Sequence, residues 1–104
     1  MENYSEFNAL MKDFIELFDN LIDVEQRKLD AVITDDIAEV EESIKKEQAV
    51  ILRLRGLEHR RETVQNSMGM KDRTFREILD LAPKDVSETL NPLFQDLSQK
   101  VRTF

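Results

Sequence analysis

Residues 5–33 decide the fold, and they read SEFNALMKDFIELFDNLIDVEQRKLDAVI. Apolar side chains recur in steps of three and four along this stretch, which places them on one face of a helix. Polar side chains fill the other face, and neither Gly nor Pro interrupts the run. The pattern therefore predicts one amphipathic helix of about 43 Å, at 1.5 Å per residue. Its apolar positions are Phe7, Leu10, Met11, Phe14, Leu17, Phe18, Leu21, Ile22, Leu29 and Val32.

A short polar segment, Thr34-Asp35-Asp36, interrupts this pattern. Its oxygen-bearing side chains favour a helix cap, and Asp36 with Glu39 has the spacing of a capping box. A second helix is therefore predicted over residues 36–67, returning antiparallel to the first because the connection is short. One continuous helix is the alternative, which three weak helix formers in succession disfavour. The apolar stripe assigned to the second helix is Ile37, Val40, Ile44, Ile51, Leu54, Leu57 and Val64.

The rest of the chain predicts a third helical segment in two parts. Residues 68–70 read MGM, and a glycine at this point can adopt the left-handed conformation that ends a helix. Apolar spacing predicts a short helix over residues 72–82 and a further helix over residues 84–103. Pro83 separates the two, and Pro92 lies inside the later one, so a kink or a restart is expected there.

These elements predict an all-α protein. The sequence has 104 residues, a length that fits one small domain. We expect a single helical domain over residues 1–104, built from a long antiparallel, coiled-coil-like hairpin and a kinked third segment of similar length. The simplest arrangement of these parts is an up-down-up three-helix bundle.

The composition excludes most catalytic chemistry. The chain has no Cys, which removes disulfides, zinc-thiolate sites and thiol nucleophiles. Its single His, His59, cannot supply the imidazole pairs that most transition-metal sites need, and it is expected on the surface. Two Gly leave no Gly-rich loop for phosphate. We therefore expect no enzymatic activity, no cofactor and no metal.

Membrane insertion and nucleic-acid binding are also disfavoured. No stretch approaches the roughly 20 apolar residues that span a bilayer, and the acidic N-terminus lacks the apolar region of a signal peptide. The formal net charge is −7, whereas contacts with phosphates need a basic face. These features predict a soluble, cytoplasmic protein.

The charge is unevenly distributed along the chain. Residues 1–50 contain 14 Asp or Glu and 5 Lys or Arg, whereas residues 51–104 contain 8 and 10. A basic cluster in the second helix would lie beside acidic side chains of the first if the hairpin turns near residue 34, with position 55 opposite position 13. We favour this ion pairing over a phosphate site. The cluster is Arg53, Arg55, Arg60 and Arg61, and its expected partners are Glu6, Asp13 and Glu16.

The last predicted helix carries a heptad seam, which is typical of a helix that packs on another helix. The seam continues to Phe104, which predicts either packing against a partner or a longer helix. We therefore take this face as the candidate partner-binding surface. Self-association through a coiled coil, giving a homo-oligomer, is the alternative. The candidate residues are Leu90, Leu93, Phe94, Leu97, Val101 and Phe104.

The order of features from Phe14 to Arg61 resembles the FlgN-type family of bacterial flagellar export chaperones. The likeness also includes the later segment Thr74-Phe75-Arg76-Glu77-Ile78-Leu79, and it covers about three quarters of the chain. The motifs are Glu25-x-x-Lys28-Leu29-Asp30-Ala31-Val32, Asp35-Asp36-Ile37, Lys46-Glu47, the aliphatic run Val50, Ile51, Leu52 and Leu54, and Leu57-Glu58-x-x-Arg61.

The resemblance implies a cytoplasmic chaperone without catalytic activity. Such a protein binds hook–filament junction (hook-associated) proteins, blocks their premature assembly and brings them to the export gate. In the family, client binding is associated with a C-terminal region, of which only Leu90 to Phe104 could be present here. The only Tyr of this chain is Tyr4, so a family Tyr proposed for contact with the gate has no counterpart. No individual binding residue carries over.

Overall fold

The computed structural model describes residues 2–103, and these form four α-helices without a strand. The all-α prediction is confirmed. Phe104 lies outside the described residues. The helices are α1 (Glu2–Ile33), α2 (Ile37–Ser67), α3 (Phe75–Leu81) and α4 (Lys84–Thr103).

A tight turn joins α1 to α2 and reverses the chain. Asp35 adopts a left-handed conformation with φ of 58°. Asp36 caps α2, because its side chain accepts a hydrogen bond of 3.1 Å from the backbone N–H of Glu39. The predicted cap and the predicted hairpin are both confirmed. The turn also ends α1, since the backbone N–H of Asp36 bonds to the carbonyl of Ala31.

The core lies mainly along one face of α1. Its side chains recur in steps of three and four, so their burial against α2 follows directly from the sequence pattern. From α2, Val50 and Val64 are buried against them. The buried apolar side chains of α1 are Phe7, Leu10, Met11, Phe14, Leu17, Leu21, Val24 and Ala31.

The third segment differs from the prediction at its start. Helix α3 begins at Phe75 rather than at residue 72, because Asp72 takes a left-handed φ of 63°. Thr74 and Glu77 form a reciprocal capping box that fixes this start, with hydrogen bonds of 3.1 and 3.0 Å. The helix ends at Leu81, since the residue before Pro83 is extended.

Helix α4 runs without interruption through Pro92, which excludes the restart, one of the two expected alternatives. Leu90 and Leu97, on either side of the proline, are 1% and 5% exposed, and their burial holds both halves of the helix on the core. Pro92 itself is exposed, which leaves its ring in solvent. The kink at this position remains a prediction.

The third segment packs mainly on α1, and its start also contacts the end of α2 through Arg61 and Gln65. Cα atoms within 8 Å join α1 to α2, α1 to α4 and α3 to α4, and none joins α2 to α4 among residues 2–103. Helix α1 therefore contacts both of the other long helices. The closed three-helix bundle is not confirmed, and the described chain is an elongated body of 52 × 23 × 18 Å.

Candidate partner-binding surface

A second apolar stripe of α1 faces α4. The residues of this stripe follow those of the α2-facing stripe by one position, which turns them about 100° around the helix axis. Its first part is covered: Met11 is fully buried, and Tyr4, Ile15 and Phe18 pack against the core. Its last part, including Leu29, continues after α4 has ended. The covered and uncovered parts thus belong to one continuous stripe.

Helix α4 runs parallel to α1 and ends over the middle of this stripe. The ammonium of Lys100 lies 2.9 Å from Asp19 Oδ1, and Thr103 borders the same opening as Ile22 and Leu29. The last part of the stripe is exposed in the described structure, where Leu29 is 53% exposed and Val32 is 56% exposed. The hairpin tip therefore presents apolar side chains to solvent.

The structure divides the candidate residues of α4. Leu90 and Leu97 are buried against α1, so they already serve the core of the chain. Leu93 and Phe94 are half-buried, and Val101 is 49% exposed. In this conformation Leu93, Phe94 and Val101 are the described candidate residues that offer apolar surface to a partner. Phe104 lies outside the described residues.

A groove between α3 and α4 borders this part of α4. Phe94 lies in it, with the Arg76 guanidinium 5.5 Å from the centre of its ring. Arg102 lines the far end of the same groove, among amide and hydroxyl side chains. The groove therefore combines one aromatic surface with two cations and the carboxylate of Asp80.

The apolar stripe assigned to α2 is partly wrong. Ile37, Ile44 and Ile51, which are seven residues apart, are 72%, 39% and 39% exposed. The line that faces α1 instead contains Ser43 at 1% exposure and Val50 at 3%. The α1-facing line of α2 contains polar residues, so the apolar pattern of the sequence does not identify it. The heptad spacing of the isoleucines indicates a second apolar face.

Two glutamates and a lysine bridge the hairpin below the opening. Lys28 Nζ lies 2.8 Å from Glu47 Oε2 and 3.3 Å from Glu25 Oε2. Glu25 Oε1 is buried and accepts no hydrogen bond from any described residue. The motifs that carry the family resemblance include all three residues, whereas composition and spacing alone do not identify them as a cluster.

The charges of this triad are strongly coupled. The pKa of Glu25 is raised above its usual value, first by a hydrogen bond with Glu47 and then by burial. The pKa of Glu47 is lowered by that hydrogen bond and by the one from Lys28. The hydrogen bond with Glu47 also raises the pKa of Lys28. Of the two carboxyl groups, Glu25 therefore takes up a proton more readily than Glu47.

The arginine cluster is explained largely by contacts within the chain. Arg60 forms an ion pair with Asp13, which confirms pairing across the hairpin. Arg61 stacks on Phe75, with its guanidinium carbon 3.9 Å from the ring centre, and hydrogen-bonds to Gln65. The expected register was wrong, since position 60 and not position 55 lies opposite position 13. The hairpin reverses closer to residue 36 than to residue 34.

The other two arginines have no such role. Arg53 and Arg55 are exposed and form no ion pair with the described part of α1. His59 is exposed, as predicted. Within residues 2–103 no group of three or more His, Cys, Asp or Glu is arranged to hold a metal ion. None of the described helices is long and apolar enough to cross a membrane.

The geometry is thus that of a helical body with apolar surface at the hairpin tip and along α4. A family model described as FlgN protein matches residues 1–104, the whole length of the sequence. Neither the search of curated proteins nor the search of solved structures finds a match. The match includes every motif that carried the resemblance, so the chain belongs to the FlgN family, whose members are chaperones of flagellar export.

Proposed function

We propose that this protein is a cytoplasmic chaperone that binds hook-associated flagellar proteins, prevents their premature assembly and delivers them to the export gate. The observation that carries the proposal is the family match over the whole chain. The exposed apolar side chains are consistent with a protein that binds other proteins.

The proposed contact face lies on α4. Leu93, Phe94 and Val101 offer apolar surface in the folded chain, and Phe94 and Val101 are seven residues apart. Leu90 and Leu97 become part of this face when a client displaces part of the contact between α4 and α1. The proposed set is completed by Phe104, at the end of the sequence.

Such a face suits a client segment that is disordered before it binds. A disordered segment with amphipathic potential can lay its apolar side chains along a helical surface. Ordering that segment costs about 2–5 kcal/mol of the gross interaction energy. The complex is therefore weaker than its buried area alone would suggest, which favours release at the export gate.

Calorimetric titration with the C-terminal segment of a hook-associated protein tests the proposal. We expect saturable binding to the wild type and at least tenfold weaker binding to the double variant Leu93→Asp, Val101→Asp. The matched control is Leu52→Asp, because Leu52 is 67% exposed and lies away from α4. Equal affinity of the wild type and the double variant would place the client elsewhere.

Self-association is a second candidate function, and the exposed isoleucines of α2 favour it. Ile37, Ile44 and Ile51 have the seven-residue spacing of a coiled-coil seam. If the chain is a scaffold module, sedimentation without clients will show dimers whose population rises with concentration. Replacing Ile44 with Asp would then restore the monomer.

A further inference from the structure

Helix α2 carries an exposed seam beside its contact with α1, which we call the α2 seam. Its residues follow those of the α1-facing line by one position, as Ile44 follows the buried Ser43 and Ile51 follows the buried Val50. One position turns a side chain about 100° around the helix axis, so the seam lies outside the contact with α1. Its members are separated by steps of three and four, the spacing of a coiled-coil seam. They are Glu41, Ile44, Gln48, Ile51 and Arg55, and all five are exposed.

Helix α4 runs level with the later half of α2 without covering it. Two ion pairs across the hairpin place Asp19 of α1 level with Arg55 of α2, and Lys100 of α4 pairs with Asp19. No Cα atom of the described part of α4 lies within 8 Å of one in α2, and Arg55, Glu58 and Glu62 are exposed there. A helix in the path of α4 therefore covers α1 and leaves the α2 seam in solvent.

The two ends of the α2 seam carry opposite charges. Glu41 provides a carboxylate near the hairpin turn, and Arg55 provides a guanidinium about 21 Å further along the helix. Neither side chain forms an ion pair with a described residue. Gln48 lies at the midpoint, with one isoleucine on each side of it. The seam is therefore complementary to itself when two copies run in opposite directions.

We propose that two copies of this chain pair antiparallel through the α2 seam, around a twofold axis near Gln48. Ile44 then packs beside Ile51 of the second copy, and Glu41 comes within reach of Arg55 of the second copy. The twofold axis repeats each of these contacts. The inference rests on the self-association considered under the proposed function, and it adds the orientation of the two copies, their register and the charged residues that select both.

The same residues disfavour a parallel pair. A parallel pair would place Glu41 beside Glu41 and Arg55 beside Arg55 of the second copy, and like charges at an interface are destabilising. In the antiparallel pair both charges gain a partner of opposite sign. The amide of Gln48 both donates and accepts hydrogen bonds, so two copies of it can pair at the centre. A polar residue at such a position fixes the register of a coiled coil.

The contact is small, so the dimer should dissociate on dilution. Five positions over about 21 Å of helix give an interface at the low end of specific contacts. Each copy also has a formal net charge of −7, which makes two copies repel each other at low ionic strength. In 0.15 M salt the screening length is about 8 Å, which limits this repulsion.

Sedimentation equilibrium of the full chain in 0.15 M salt tests the inference. We expect a monomer–dimer equilibrium whose dissociation constant rises at least tenfold in Ile44→Asp and in Ile51→Asp. Both positions are exposed, so the variants fold, and circular dichroism verifies this. Leu81→Asp is the matched control, because Leu81 is 55% exposed and lies on α3. A chain that stays monomeric at every concentration, or a dimer that Ile44→Asp leaves intact, would overturn the inference.

Charge reversal tests the orientation. Glu41→Arg and Arg55→Glu should each raise the dissociation constant at least tenfold, because each replaces an attraction by a repulsion. The variant with both reversals should recover the wild-type value, since both pairs form again with their signs exchanged. A parallel dimer has like charges face to face in all of these variants. Single reversals without effect, or a double variant as weak as the single ones, would therefore overturn the antiparallel geometry.

Introduced thiols give a second measure of orientation, because the sequence has no Cys. A mixture of Glu41→Cys and Arg55→Cys chains should form a disulfide between unlike chains under mild oxidation, whereas neither variant alone should do so. A disulfide between two Glu41→Cys chains would overturn the inference in favour of a parallel pair.

The outcome is separable from those of the proposed function. If the hook-associated segment binds through α4 and the chain stays monomeric, the chaperone proposal stands and the inference fails. If the predicted dimer forms and no client binds, the inference stands and the chaperone proposal fails. If a dimer forms and the charge reversals have no effect, self-association stands and the antiparallel geometry fails.

Discussion

Lys100 and Asp19 hold the last turn of α4 against the middle of α1. Their side-chain atoms are 2.9 Å apart, and Asp96 on the preceding turn lies 3.2 Å from the same ammonium. These two carboxylates raise the pKa of Lys100. The pair lies between the buried part of the second α1 stripe, at Met11, and its exposed part, at Leu29 and Val32.

Loss of this pair should loosen the end of α4 without unfolding the chain. We expect Lys100→Gln to leave the melting temperature nearly unchanged, because exposed ion pairs contribute little to stability. Hydrogen exchange of the amides at 98–103 should become severalfold faster. Lys84→Gln, at the opposite end of α4, is the control, and an equal effect of both variants would contradict the assignment.

Burial of α4 against α1 predicts how strongly alanine substitutions along α4 destabilise the chain. Leu90→Ala and Leu97→Ala should each lower the free energy of unfolding by about 2–5 kcal/mol, because each removes a buried side chain from the core. Val101→Ala should change it by less than about 0.5 kcal/mol, since this side chain is half exposed. Urea unfolding measures all three. A Leu97→Ala value as small as that of Val101→Ala would show that α4 is not docked in solution.

Phe75 should link α3 to the hairpin. Its ring meets Phe7 and Phe14 edge to face, with centroids 5.4 and 5.9 Å apart, and Arg61 stacks on it. We expect Phe75→Ala to destabilise the chain by about 2–4 kcal/mol. Arg55→Ala should change stability by less than about 0.5 kcal/mol. Thermal and urea unfolding check both values, and a Phe75→Ala effect within the range of Arg55→Ala would exclude this link.

Glu25 should make stability depend on pH. Its pKa is raised in the folded chain, so the folded state binds the proton more tightly than the unfolded state. The stability from this group is present below the ordinary value of 4.5 and is lost as pH rises through the raised pKa. Glu25→Gln keeps a donor for Glu47 and removes the charge. We therefore expect the variant to be more stable than the wild type at pH 7, with an advantage that shrinks toward pH 4.5.

Glu47 provides the opposite sign for comparison. Its pKa is lowered, so its contribution to stability is present above the ordinary value of 4.5 and is lost as pH falls through the lowered pKa. Glu47→Gln should be less stable than the wild type at pH 7, and the difference should disappear in acid. Melting temperatures between pH 3 and pH 8 measure both curves. Parallel curves for the two variants would contradict the coupling.

The hairpin was predictable because α1 carries an unbroken apolar pattern and Asp36 an evident cap. Its register was harder to predict, because the turn takes up residues 34–36. Counting equal distances from residue 34 places position 55 opposite position 13, whereas position 60 lies there. The face of α2 was ambiguous because Ser43 and Glu47 lie within its α1-facing line. The exposed isoleucines beside that line carried the stronger apolar signal.

The candidate surface shows a different limit of sequence reasoning. A heptad seam indicates that a helix packs on another helix, but it does not distinguish a helix of the same chain from a helix of a partner protein. Leu90 and Leu97 pack on α1, whereas Val101 remains exposed. Thr74 and Glu77 have the spacing of a capping box, which indicates the start of α3, whereas the apolar pattern alone places that start at residue 72.

Sedimentation velocity of the chain mixed with a full-length hook-associated protein tests the central claim most directly. A chaperone that prevents premature assembly should convert the client into one soluble complex of defined stoichiometry and suppress its self-assembly. We predict that the assembled client species disappears as the chain is added and that Leu93→Asp, Val101→Asp restores it, whereas Leu52→Asp does not. Unchanged client assembly at saturating chain, with the chain sedimenting alone, would contradict the account.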